Sequence, residues 1–341
     1  MSNLSPFIKT ISLGKELSED AMTEAMRFIM NGEATDNEIE EFLVKLSERG
    51  EAVSEITGAA KVMRNMAASI KAPEGSIDCC GTGGDASETY NISTAVAFVC
   101  AASGVPIAKH GNRAASSKSG AADVLEQLGI SLDLNKDNLE LALKELNFCF
   151  LMAPHHHGAM RHVMPARKRI AHRTIFNLLG PLANPAGTKK QLIGVFDEKW
   201  LRPMAETLRN LGSETAWLVH GTDGLDEITT TAETKCVVLE NRSIEERTLI
   251  PEDFGLERAS PELLKGGDAE QNAAAIYALL EGHKNAYRDI VLANTAAVLM
   301  IHGKTNDLKE GMKLAAYEID SGKALSIFER YKAFSQEHKE L

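Results

Sequence analysis

The sequence predicts an α/β protein: a small helical N-terminal domain, then a larger α/β domain with a mostly parallel central sheet. Three observations predict it. Residues 1–70 place apolar side chains at helical spacing and carry no strand signal. After residue 76, short continuous apolar runs alternate with helical stretches, the pattern of strands covered on both faces. Residues 71–75, KAPEG, read as a linker between the two patterns.

Each element has its own reason. Ser18 caps a helix that carries Met22, Ala25, Met26, Ile29 and Met30 on one face. Thr35 and Glu38 form a capping box ahead of Ile39, Phe42, Leu43 and Leu46. Ser54 is expected to cap a third helix with Ile56, Ala59, Ala60, Met63 and Met66. Buried strands are expected at 76–80, 105–108, 148–152, 191–196 and 216–219. Helices are expected between them at 94–102, 119–128, 138–146 and 201–211. Residues 235–239 and 247–250 read as a hairpin-like addition, and the chain from Asp268 onward reads as mostly helical. No internal repeat or low-complexity tract interrupts this order.

Composition narrows the function. A length of 341 residues suits about two domains of roughly 150 residues each. The net charge of −11 disfavours non-specific binding to nucleic acid or anionic membrane, while leaving room for a local basic pocket. The N-terminus lacks an apolar core of signal-peptide length. The longest apolar run, 291–301, is interrupted by Asn294 and Thr295 and falls short of a membrane span. Five cysteines without metal-ligand spacing read as buried reduced thiols, so a cytoplasmic protein is expected.

Four segments carry candidate chemistry. GTGGD at 81–85 follows an expected strand, and NIST at 91–94 opens the next helix. Glycines let a backbone approach a phosphate, and a helix start offers free amides, so strand, loop and helix form an anion cradle. A tight turn with an Asn or Ser cap is the ordinary alternative. The loop is neither GxGxxG nor a Walker sequence, so nicotinamide and ATP are not supported. KHGNR at 109–113 runs on through AASSKSG to 120 and supplies cationic and hydroxyl donors for a polyanion, or else a solvated loop. In DGLDE at 223–227, Asp226 and Glu227 suit Mg²⁺, which takes one or two carboxylates beside substrate phosphates and water. Surface charge is the ordinary reading of such a pair. Finally, PHHH at 154–157 precedes Arg161, His162, Arg167, Lys168, Arg169 and Arg173. Consecutive histidines diverge and no HExxH accompanies them, so zinc is not supported. The basic run is a solvated face, or the source of one arginine for a substrate carboxylate.

Taken in order and spacing, these motifs resemble those of the anthranilate phosphoribosyltransferases. The carriers are GTGGD, NIST, KHGNR, SKSGAADVLEQLG (117–129), RTIFNLLGPLANP (173–185), VHGTDGLDE (219–227) and GGDAEQNA (266–273). The resemblance spans about 17–332 of the chain. It implies the architecture of the nucleoside-phosphorylase-like phosphoribosyltransferases. The helical domain of residues 1–70 would be completed by about 161–185 and would form a homodimer. The α/β domain would comprise 76–160 and 190–341, with the active site in the hinge cleft.

The reaction implied joins anthranilate to 5-phosphoribosyl 1-pyrophosphate and releases pyrophosphate. By motif, the donor would be held by Gly81, Gly84, Asp85, Thr89, Asn91, Ile92, Ser93, Thr94, Lys109, His110, Gly111, Asn112, Arg113, Ala114, Ala115, Ser116, Ser117 and Ala121. Gly81, Asn112 and Arg167 would contact anthranilate, and His157 would line its path. Ser93 and Glu227 would touch one Mg²⁺, and Asp226 and Glu227 a second. The aromatic amine is neutral at pH 7, so no acid or base is assigned. Ala86, Ala114, Ala121 and Gly158 depart from residues usual in the family. Two alternatives remain at this point. A pyrimidine nucleoside phosphorylase is expected to be longer, with a further C-terminal domain. A non-catalytic nucleic-acid-binding relative is expected to lose the acid pair and gain a basic face.

Overall fold

In the computed structural model, residues 4–84, 88–114 and 118–340 are described. The expected donor residues Asp85, Ala115, Ser116 and Ser117, and the departure at Ala86, lie outside them. Four helices come first: α1 (Ser5–Ser12), α2 (Glu19–Met30), α3 (Asp36–Arg49) and α4 (Val53–Met66). The Ser18 side chain caps α2 by accepting from the Ala21 amide, and the Thr35–Glu38 capping box opens α3. The expected Ser54 cap is not formed. α4 begins two residues earlier, with Ala52 at the cap position, and the Ser54 hydroxyl instead donates to Leu17 O at 2.8 Å. Glu55 takes over because its longer side chain reaches back to the helix start. Fully buried, it accepts from the Ala52 and Leu17 amides and pairs with Arg49.

The rest of the chain builds one seven-stranded sheet. In order come β1 (Ile77–Gly81), α5 (Ile92–Ala102), β2 (Ile107–Gly111), α6 (Ala121–Gln127), α7 (Lys136–Leu146) and β3 (Phe148–Met152). Three short helices follow, α8 (Ala153–His156), α9 (Met164–Arg169) and α10 (Phe176–Leu182). Then come β4 (Lys190–Gly194), α11 (Leu201–Asn210), β5 (Thr215–Gly221), β6 (Thr234–Glu240) and β7 (Ser243–Leu249). The chain closes on α12 (Ala269–Leu280), α13 (Ala286–His302), α14 (Leu308–Asp320) and α15 (Lys323–Glu337).

Spatial strand order is β3-β2-β1-β4-β5-β6-β7, with the first five parallel and the last two antiparallel. The chain therefore builds outward from β1 in one direction, then returns to lay β4 on its other side. In open α/β sheets, the crevice at such a reversal is where ligands bind, at the carboxyl ends of the strands.

Side chains alternate between two cores, as the period of a strand requires. Trp217, Val219, Cys236 and Val238 join α5, α7 and α12–α15 on one face. Ala216, Leu218, Val237 and Leu239 face α11 and the N-terminal helices on the other. Helices α9 and α10 pack on α3 and α4, so part of the 153–185 segment shares the core of the helical bundle. Arg169 binds Glu40 at 2.7 Å, and Arg64 donates to Leu182 O at 2.6 Å. The connecting strands are bonded to one another: the Ala68 amide donates to His156 O at 2.8 Å, and the Ile70 amide to Pro185 O at 3.2 Å.

Candidate active site

The site grows from two glycines at facing strand ends. Gly81 closes β1 and Gly194 closes β4, and the two are register partners. The acid loop after β5 lies directly on them. A Cβ on Gly194 would sit 1.5 Å from the Asp226 carbonyl oxygen, and one on Gly81 would sit 2.5 Å from Asp226 Oδ2. Gly194 therefore requires glycine for close backbone approach, while a side chain at Gly81 would displace the Asp226 carboxylate. The Gly83 amide donates to Asp226 Oδ2 at 3.1 Å, and the Thr82 amide donates to Gly194 O at 2.9 Å. The glycine loop and the acid loop thus meet at the topological reversal, although 143 residues separate Gly83 from Asp226.

Beside them, Asn91 caps α5 by accepting from the Thr94 amide at 3.3 Å. This places Ile92, Ser93 and Thr94 in the first helical turn, two residues earlier than expected. Glu227 lies near enough to Cys79 and Tyr287 for its charge to act on both. The Tyr287 hydroxyl donates to Asn91 O at 2.7 Å, and the Cys79 thiol faces Ser93 O at 3.6 Å. Burial first, and then the Asp78 and Glu227 charges, push the Cys79 thiol up to about 12, opposed by Lys109, so the cysteine stays protonated and inert.

Lys109 departs from its expected place. The strand expected to stop at 108 runs on to Gly111, because the parallel ladder with β3 extends from Ile107↔Phe148 to Gly111↔Met152. Lys109 and His110 are consequently interior strand residues, 1% and 7% exposed, rather than loop residues facing solvent. The Lys109 ammonium donates to Cys79 O at 2.7 Å and to Ser93 Oγ at 3.0 Å. It fixes the Ser93 side chain from below the helix start. Asn112 and Arg113 do lie in the loop. Arg113 pairs there with Glu126 and, at 3.2 Å, with Asp123.

Asp123 was not among the residues expected to matter, yet it organises this loop. Its Oδ2 accepts from the Ala114 amide at 2.9 Å and the Gly120 amide at 2.8 Å. Burial alone would raise its pKa, but these amides and Arg113 hold it below the usual carboxylate range. Its place in the first turn of α6 was the available signal. Asn272 is a second such residue. Its side-chain amide donates to Ser119 Oγ at 2.7 Å and Gly267 O at 3.2 Å. Nearby, Thr89 bridges Lys265, and Gly266 lies against Thr89 so closely that a Cβ would be 2.5 Å from Thr89 O. The 264–272 strap therefore ties the β1–α5 loop to the β2–α6 loop. Asp78 and Asn184 form a third unexpected pair. Fully buried Asp78 accepts from Asn184 Nδ2 at 2.8 Å and from the His110 amide at 3.1 Å. Burial raises its pKa, opposed by Asn184, Lys109 and that amide.

The opposite wall comes from the 153–185 segment. His110 Nδ1 faces Gly180 O at 3.2 Å, and the carbonyl can only accept, so Nδ1 carries the proton. The His110 and His157 rings lie 5.2 Å apart between centroids. Both are buried, and among the described residues neither Nε2 has a hydrogen-bond partner. Burial first, then neighbouring histidine charge, lowers His110 to about 3 and His157 to about 4, so both are neutral at pH 7. Arg167 is half-buried on α9, its guanidinium 5.3 Å from the Phe176 ring centroid. Burial lowers its pKa, and no carboxylate pairs with it among the described residues. Lys168 and Arg169 are exposed, and Arg169 is spent on Glu40. No hydrogen bond among the described residues joins Arg167 to Gly81 or Asn112, the other two expected acceptor contacts. Arg173 stacks 4.2 Å over Phe196 and donates to Gly84 O, so this segment also touches the glycine loop.

The sequence-expected metal residues Asp226, Glu227 and Ser93 would offer hard oxygen, two carboxylates and a hydroxyl. Such donors suit Mg²⁺, and among the described residues no group of three or more His, Cys, Asp or Glu side chains is placed to hold a metal ion by itself.

Comparison with known proteins agrees on one family. Residues 5–67 match the glycosyl transferase family helical bundle domain, and residues 74–325 match the glycosyl transferase family a/b domain. The anthranilate phosphoribosyltransferase of Azospirillum brasilense is 53% identical over 329 residues, covering 96% of this chain and 92% of the relative. That of Sinorhizobium medicae is 52% identical, covering 97% and 98%. The anthranilate phosphoribosyltransferase structure from Thermus thermophilus superposes with a TM-score of 0.91 at 44% identity, covering 96% of this chain and 99% of that one. A Saccharomyces cerevisiae structure in complex with PRPP and Mg gives 0.90 at 28% identity, covering 98% of both.

Proposed function

This chain belongs to the anthranilate phosphoribosyltransferase family, and from that premise we propose how its residues divide the reaction. It transfers the phosphoribosyl group of 5-phosphoribosyl 1-pyrophosphate to the amine of anthranilate and releases pyrophosphate, a step of tryptophan biosynthesis. The nucleoside phosphorylase and nucleic-acid alternatives are not favoured.

The observation that carries the residue assignment is the meeting of the glycine loop and the acid loop at the β1–β4 reversal. Gly81, Gly84, Thr89, Asn91–Thr94, Lys109–Ala114 and Ala121 line or support the strand-end wall, which we assign to the donor. Asp226, Glu227 and Ser93 would hold Mg²⁺, as two ions. Bound there, Mg²⁺ would neutralise charge gathering on the departing pyrophosphate. The chain's own residues do the remainder. The C1–O bond to pyrophosphate breaks with oxocarbenium character, the anthranilate nitrogen forms the new bond to C1, and its proton leaves afterwards. No base is assigned, because the amine is neutral and positioning lowers the barrier. Lys109 orients the Ser93 hydroxyl. Arg167, a half-buried cation without a carboxylate partner among the described residues, would take the planar carboxylate of anthranilate in two parallel bonds. Gly81 and Asn112 would complete the acceptor contacts.

We also propose that helices α9 and α10 complete the helical domain, supported by their packing on α3 and α4, and that this domain forms a homodimer. A cytoplasmic setting is supported by five free buried cysteines. No helix among the described residues is long and apolar enough to cross a membrane. Sedimentation equilibrium should return twice the 37.0 kDa chain mass. The decisive assay for function is loss of anthranilate fluorescence on mixing with 5-phosphoribosyl 1-pyrophosphate. Fluorescence should fall with Mg²⁺ present and hold steady with EDTA. An unchanged signal at every Mg²⁺ concentration overturns the proposal.

A further inference from the structure

We infer that Asn294 is a positioning residue for the acid pair, setting the pose of Glu227 through the peptide groups of Ile228. The inference rests on the reading of Asp226 and Glu227 as the Mg²⁺ carboxylates. Asn294 is one of the two polar interruptions in the apolar run of α13, and it is 0% exposed. A buried amide is costly unless its hydrogen bonds are made. Its bonds converge on the acid loop. The Ile228 amide donates to Asn294 Oδ1 at 3.0 Å, and Asn294 Nδ2 donates to Ile228 O at 2.9 Å and to Ile290 O at 2.9 Å. One side chain therefore closes both backbone polar groups of the residue that follows Glu227, as a neighbouring strand would.

The other end of the loop is closed as well. Asp223 Oδ2 accepts from the Thr229 hydroxyl at 2.6 Å and from the Thr231 hydroxyl, and the Gly221 amide donates to Leu225 O at 2.8 Å. Asp226 and Glu227 lie between these two clamps. The Asp223 clamp can be satisfied within the loop itself. Asn294 instead fastens the loop to α13, an element of the rigid core. Groups that orient a ligating carboxylate typically change metal affinity by about ten- to a hundredfold when lost.

The test uses the full chain and Mn²⁺ as the divalent probe, with binding read by electron paramagnetic resonance in the presence of 5-phosphoribosyl 1-pyrophosphate. Asn294→Asp keeps an acceptor for the Ile228 amide and loses the donor to Ile228 O. It should weaken Mn²⁺ by about tenfold. Thr295→Val, at the fully buried next residue, should leave Mn²⁺ affinity within about twofold of the parent. Each variant is measured at a fixed interval below its own melting temperature, so that lost stability does not pass for lost affinity. Glu227→Gln reports on the underlying reading: if it binds Mn²⁺ like the parent, the acid-pair assignment falls and this inference with it. If Glu227→Gln weakens binding and Asn294→Asp does not, the inference alone is overturned. Should Asn294→Asp fail to fold, amide hydrogen exchange of the metal-free parent decides. The Ile228 amide should exchange as slowly as the strand amides of β5, and exchange at the rate of an open loop overturns the proposal.

Discussion

The two walls of the cleft are built differently. The proposed donor wall is assembled from strand ends and the loops that leave them, and ladder bonds and glycine contacts fix the strand-end part. Gly81, Gly194 and Asp226 touch there, and Lys109 is locked within β2. The proposed acceptor wall comes from three short helices and their connections, whose apolar side chains share the core of the helical bundle and which are tied by bonds such as Arg64 to Leu182 O and Ser47 to Arg173 O. Strand-end elements share the stability of the sheet, whereas a segment packed on the helical bundle shares the stability of that bundle. On the proposed assignment, the charged, metal-dependent half of the reaction lies on the sheet. Admission of the aromatic amine then falls to the side built on the helical bundle.

The largest effect should come from the donor wall. Glu227→Ala should lower kcat by about a hundredfold or more, the scale of losing a main electrostatic stabiliser. Steady-state turnover at saturating donor checks this, and parent turnover indifferent to EDTA would break the comparison outright. Next is Arg167→Ala, which should raise KM for anthranilate by about ten- to a hundredfold, the worth of a charged hydrogen-bonded contact. KM for the donor should hardly move, and Arg167→Lys should recover only part. If both constants rise together, the two walls are not functionally separate. Lys109→Ala should raise KM for the donor by about tenfold through the freed Ser93 side chain, with a smaller change for anthranilate. Equal changes would count against a donor-side role.

Stability against pH sharpens the picture of the other wall. His110 and His157 sit neutral in the folded state at about 3 and about 4, while an unfolded histidine takes its proton near 6.5. The unfolded chain therefore binds more protons below that value. Stability contributed by the two rings is fully present above about pH 6.5 and is lost progressively as pH falls toward 4. The loss should approach about 1.4 kcal/mol per pH unit for each ring. Denaturant titrations from pH 7 to 4.5 should show the slope, and it should shrink in His157→Gln. The smallest effect is assigned to Lys168→Ala. It removes an exposed charge beside Arg167 and should change either KM by less than about half a kcal/mol. A loss equal to that of Arg167→Ala would mean a diffuse basic face rather than one reading arginine.

Much of this was legible in the sequence, for local reasons. Strands 148–152 and 216–219 are continuous apolar runs because both faces are covered. The Thr35–Glu38 box is a four-residue signature that needs no tertiary partner. GTGGD and DGLDE are legible as candidate ligand loops because each follows an expected strand, although a tight turn and surface charge are the ordinary readings of such residues and only the order of all the motifs together favours a site. Misplacements had equally physical causes. Lys109 looked like a loop residue because a lysine inside a buried strand contradicts its hydropathy. The carbonyl of Cys79, the hydroxyl of Ser93 and the nearby Asp78 charge make the burial tolerable. Ser54 looked like a cap because it is a serine before an apolar run, but Glu55 satisfied the amides instead. Asp78 and Asn184, 106 residues apart, offered no pattern within any window.

The sequence by itself determined the element types, the mostly parallel sheet and the chemical kinds of group in the cleft, since periodicity and glycine placement act within a few residues. Tertiary structure decided which of those groups meet. The acid loop after β5 reaches the glycine loop after β1 only because β4 and β5 are laid on the far side of β1. Asn294 acquires a purpose only when α13 is packed beneath that loop. Hydrogen bonds and close contacts act over a few ångströms, and which residues come that near is a property of the folded chain.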